Sequence, residues 1–125
     1  MENKKIFFTN DDAESEYTFK TNGFIPEVVI EYEKNFFQVC IYTLKRLSLS
    51  FKHKIQQEGY YSIVPGIVLV KEASKKCTIE TLVNLPKWFF DGLRPKTVKE
   101  LDAILADFRA PYNKKFSEWV QVYPE

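Results

Sequence analysis

Glycine is scarce, with four residues in a chain of 125. Phosphate-cradling loops need several glycines close together, because backbone N–H groups must reach the ligand with no Cβ in the way. No dinucleotide fingerprint, phosphate loop or glycine-flanked nucleophile occurs. Histidine is scarcer still: His53 is the only one. It stands among lysines, with no nucleophile or carboxylate nominated beside it, so it reads as a solvated side chain and not a general base. The two cysteines, Cys40 and Cys77, lie too far apart for a zinc or redox motif. Both fall in apolar segments, as buried free thiols do, which fits a reducing compartment. No apolar run approaches the roughly 20 residues of a membrane span. Ile6-Phe7-Phe8 is too short for the core of a targeting peptide, and Asp11 and Asp12 follow closely. The expectation is a cytoplasmic protein with no catalytic set, cofactor, metal or membrane partner.

An excess of charge of one sign is also missing, because 18 basic and 17 acidic residues leave a net +1. A whole-chain field for nucleic acid is therefore absent, and nucleic acid is not the expected partner. The distribution is less even. Residues 1–34 hold 8 acids and 4 bases, whereas residues 35–100 hold 11 bases and 5 acids. What the chain has in quantity is aromatic surface, 11 Phe, 7 Tyr and 2 Trp. Such side chains fill cores and anchor interfaces.

The patterning predicts one domain over residues 1–125, of the α+β class, with a mixed or antiparallel sheet and two to three helices packed on it. Lys5–Thr9 reads as a strand, Asn10–Glu16 as an acidic loop and Tyr17–Phe19 as a brief strand. Glu27–Glu33 alternates Val28, Ile30 and Tyr32 against Glu27, Val29, Glu31 and Glu33, a strand with one wet face. It pairs through a Lys34-Asn35 turn with Phe36–Thr43. Leu44, Leu47, Phe51 and Ile55 form a helical stripe, ended by Gly59. After an extended stretch from Tyr60 to Val64, Ile67–Val70 reads as a strand buried on both faces, reached by a crossover. Residues 74–85 read as a helix capped by Ser74, with a strand over 78–85 as the rival. Thr97 and Glu100 form a capping box opening a helix to Arg109, with Val98, Leu101, Ile104, Leu105 and Phe108 inward. Trp119–Tyr123 reads as a last edge strand.

Two features stand out as candidate partner-binding residues. The acids Asp11, Asp12, Glu14 and Glu16, with Tyr17 beside them, can meet a basic protein by steering plus an aromatic anchor. Trp88-Phe89-Phe90 places three large rings in a row, and on a helix they cannot all face one core, which leaves Trp88 for a boundary or an interface. The bases Lys45, Arg46, Lys52, Lys54, Lys75 and Lys76 offer an alternative, a small-ligand or nucleic-acid module using the middle segment.

The run Phe24-Ile25-Pro26-Glu27-Val28-Val29-Ile30-Glu31-Tyr32, followed by Phe36 to Leu44 and a basic amphipathic helix, resembles the plan of some small bacterial immunity proteins. These belong to contact-dependent inhibition and other polymorphic-toxin systems. The resemblance implies a compact, catalytically silent inhibitor that binds a cognate toxin domain and occludes its active site.

Overall fold

The computed structural model describes residues 3–60, 65–102 and 115–125. Five strands form one mixed sheet: β1 (Lys4–Phe8), β2 (Phe24–Tyr32), β3 (Asn35–Tyr42), β4 (Ile67–Leu69) and β5 (Val120–Tyr123), ordered β4-β3-β2-β1-β5. The helices are α1 (Ala13–Asn22), α2 (Leu44–Glu58), α3 (Lys75–Val83) and α4 (Lys87–Asp91), with a further helical turn at 98–102. The fold is α+β. β2 pairs antiparallel with β1 and β3, β5 pairs antiparallel with β1, and β4 lies parallel to β3 through the α2 crossover. Residues 61–64, read as extended, and the helix beyond 102, with Ile104, Leu105 and Phe108, fall outside the described residues.

The core has two sides. On one, Ile6, Phe8, Val28, Ile30, Val39 and Ile41 pack against Phe19 of α1, Leu82 of α3 and Phe90 of α4. On the other, Val29 lies under Leu101 and Trp119, joined by Phe7, Phe36 and Phe116. Phe116 anchors this second layer with rings of Phe7, Phe36 and Trp119 at 5.1, 5.0 and 5.4 Å, all edge-on, the favoured aromatic geometry. The wet face expected on β2 is thereby corrected. Val29 is 0% exposed because Leu101 and Trp119, far along the chain, return to cover it, and Glu27 is 6% exposed.

Three further expectations change. Residues 10–19 hold no second strand; Asp12 instead opens α1, its carboxylate accepting the Ser15 N–H at 2.7 Å, and Glu14 and Glu16 occupy the first turn. This is an N-terminal helix signature, with a capping Asp followed by acids that complement the helix dipole. Gly23 ends α1 at φ +69, and a Cβ there would come within 2.5 Å of Thr43 Oγ1. α2 forms where the pattern put it, between Thr43 and Gly59, yet buries no residue. Its half-buried positions are Arg46, Leu47, Ser48 and Ser50, whereas Leu44, Phe51 and Ile55 of the apolar stripe are exposed. Finally, β4 is a three-residue edge strand with Leu69 exposed, so it is not buried on both faces.

α3 is the helix expected over 74–85, and it is held at both ends. Ser74 caps its N-terminus, accepting the Cys77 N–H at 3.1 Å. At its C-terminus the buried ammonium of Lys4 donates to the carbonyls of Leu82, Val83 and Leu85 at 3.3, 2.9 and 2.8 Å. The same ammonium lies 5.8 Å from the Tyr32 ring centroid and 5.4 Å from that of Phe90. A cation at this end satisfies orphan carbonyls and favours the dipole.

Replacing Lys4 by Met keeps the stem and removes the donors, so we expect a loss of about 2–4 kcal/mol in urea unfolding, the scale for orphaning several buried acceptors of a charged donor. An unchanged midpoint and slope contradicts this role. At the start of the 98–102 turn the capping box forms as expected. The Arg94 guanidinium at 2.6 Å, and after it the Thr97 N–H at 3.1 Å, hold the Glu100 carboxyl down to about 2. The folded value lies below the ordinary one near 4.3, so this contribution is complete above that pH and disappears as pH falls towards 2. Glu100→Gln should flatten the stability–pH curve over that window; superimposable curves would refute the assignment.

Candidate functional site

Two of the acids singled out in the sequence, Asp11 and Glu16, bond to α3. Glu16, one turn into α1, places Oε1 and Oε2 at 3.2 and 3.0 Å from the backbone N–H of Lys75, the first residue of α3. Asp11 pairs with the Lys75 ammonium at 2.9 Å. A carboxylate on a helix N-terminus meets both the orphan donors and the positive end of the dipole. α3 therefore carries an anion at its N-terminus and, through Lys4, a cation at its C-terminus.

The junction leaves a cleft of about 720 Å³ lined by Asp11, Asp12, Ala13, Glu16, Lys75, Lys76, Ile79, Glu80 and Glu125. Five carboxylate side chains face two ammonium groups there. Tyr17 is 72% exposed and borders a smaller groove that shares Ala13 and Glu16 with the cleft and runs on to Lys20 and Thr21. Tyr17 and the acids thus form one continuous surface. Glu14 is exposed in the same first turn of α1.

Trp88 is not part of that surface. It is 73% exposed on α4, the helix whose Phe90 packs on Tyr32 and Phe37. Phe89 is half-buried, so one ring of the three is left outside, as the helical spacing required. α4 follows the Lys4-bound end of α3 and Glu16 binds the other end, so α3, nine residues or about 13 Å long at 1.5 Å per residue, lies between the two attachment points.

Glu80 and Glu125 escaped the sequence reading. Glu80 had a usable signal, since it follows Lys76 by four positions and shares its face of α3. Glu125 had none, because only the pairing of β5 beside β1 brings the last residue near. The basic set also divides: Lys45, Arg46, Lys52 and Lys54 lie on α2, whereas Lys75 and Lys76 line the acidic cleft.

Other chemistry is limited. Cys40 is a half-buried free thiol whose Sγ donates to the Pro26 carbonyl at 3.3 Å. Burial, and then the charge of Glu27, push its pKa up, the reverse of thiolate activation. Among the described residues no three His, Cys, Asp or Glu side chains gather as metal ligands would, and no helix is long and apolar enough to cross a membrane. No protein-family model, curated protein or solved structure matches the chain.

Glu16→Ala should cost about 1 kcal/mol in chemical denaturation, as lost helix caps do. Asp11→Ala should cost less than about 1 kcal/mol, since its pair is partly solvated. The reverse order would show that the surface pair, and not the helix cap, fastens α1 to α3.

Proposed function

We propose that this protein is a protein-binding inhibitor that docks a basic partner surface in the cleft between α1 and α3. The observation that carries the reading is the continuity of an exposed Tyr17 with a concave surface lined by Asp11, Asp12, Glu16, Glu80 and Glu125. Acids steer a cationic partner and fix its register, while a rigid aromatic ring supplies contact area at small entropic cost. Asp11 and Glu16 already bond to α3 and are held in place, so less ordering is lost on association. The partner class that fits the β-hairpin and basic-helix layout is a toxin domain whose substrate groove is itself basic. Occlusion of that groove would be the means of inhibition.

The test is to isolate the partner on tagged protein, then titrate the purified pair calorimetrically. Tyr17→Ala and Glu80→Lys change exposed side chains that the fold does not need. Each should weaken binding by about tenfold or more, the scale of an interface anchor. Association should also slow as salt rises, because long-range attraction is screened. Unchanged affinity for both variants removes the cleft from the account. A complex that forms but leaves the partner's activity intact removes the inhibitor reading and keeps the binding one.

A further inference from the structure

The opposite end of α1 bears a second concavity of contrary charge. A cleft of about 540 Å³ is lined by Lys20, Thr21, Asn22 and Gly23 at the end of α1, by Thr43, the cap of α2, and Lys45, Arg46 and Leu49 within it, and by Lys71, Glu72 and Ala73 before α3. Four cationic side chains from three segments meet one acid there. Glu72 is engaged by Lys20 at 3.1 Å, and the Arg46 guanidinium stands over the Phe24 ring, 5.5 Å from its centroid.

The placement of these charges runs against helix stability. The first turn of α2 contains no acid and carries Lys45 and Arg46. Cations at the positive end of a helix are unfavourable, and acids are what a helix start ordinarily selects. α1 in the same chain follows that rule, with Glu14 and Glu16 in its first turn and Lys20 in its last. An anion seated between Lys45, Arg46, Lys20 and Lys71 would turn this unfavourable arrangement into a favourable one.

We propose that this cleft binds a small polyanionic phosphate ester, its phosphates among these four cations and its less polar part against Leu49. The volume falls within the range of small-molecule sites, about 300–1,000 Å³. Leu49 is 57% exposed and supplies an apolar wall beside the charges. A long nucleic acid fits less well, because a strand leaving the cleft along α1 would meet Asp11, Asp12, Glu14 and Glu16. The inference does not depend on what the acidic cleft binds.

The probes are ATP, inorganic triphosphate and a single-stranded oligonucleotide, each titrated against the intact protein at low salt. ATP and triphosphate should bind with one-to-one stoichiometry, ATP more tightly because of its apolar moiety. Lys45→Glu and Lys71→Glu, both at exposed positions, should each weaken ATP binding by about tenfold or more. Leu49→Ser should weaken ATP and leave triphosphate unchanged. Tyr17→Ala and Glu80→Lys should alter neither, which separates this site from the protein-binding cleft. Binding of the oligonucleotide alone overturns the proposal in favour of nucleic acid. Absence of ATP and triphosphate binding, or binding indifferent to Lys45→Glu and Lys71→Glu with the fold intact by circular dichroism, also overturns it.

Discussion

The two-ended clamp on α3 is the constraint on which the arrangement of the surface depends. A nine-residue helix has weak stability of its own, since nucleation costs more than so few hydrogen bonds return. Here Glu16 takes the first backbone donor, and Lys4 takes three acceptors at or just beyond the last turn. One clamp comes from α1 and the other from β1, so α3 is tied to the elements immediately before β2. Burial of Leu82 in the core does the rest. A buried ammonium carries a desolvation cost that only good partners offset. Three carbonyls at hydrogen-bond distance and two aromatic faces are such partners.

The same clamp decides which acids face solvent together. Because Asp11 and Glu16 must reach Lys75, the N-terminal turn of α1 lies alongside the start of α3. Glu80 and Glu125 then fall into the same concavity. Lys20 and Gly23, at the other end of α1, border α2 and the residues before α3. α1 therefore separates an acidic cleft from a basic one. The uneven charge along the sequence becomes a division in space.

Elements whose local pattern matched their environment were legible in the sequence. The β2–β3 hairpin, the end of α2 at Gly59, the Ser74-capped α3 and the Thr97–Glu100 box all rest on near-neighbour chemistry. α1 was missed because only Phe19 turns to the core, leaving almost no apolar period to read. The alternation of β2 suggested one wet face, since Leu101 and Trp119, which cover Val29, are some 70 to 90 positions away. α2 has an apolar stripe of which the fold leaves Leu44, Phe51 and Ile55 exposed, so amphipathicity gave the element and not its orientation. Among the candidate site residues, the structure places Asp11, Glu16 and Tyr17 near one another. Trp88 was placed with them only by type, and Glu80 and Glu125 needed the tertiary arrangement.

The most direct test of the account is hydrogen exchange on the protein, free and saturated with a basic partner of the proposed kind. Protection gained on binding should concentrate in residues 11–17 and 75–80, with the amides of β2 and β3 unchanged. Protection confined to α4 around Trp88, or to α2, would show that the partner docks elsewhere and that the clamped α1–α3 junction is a structural feature alone.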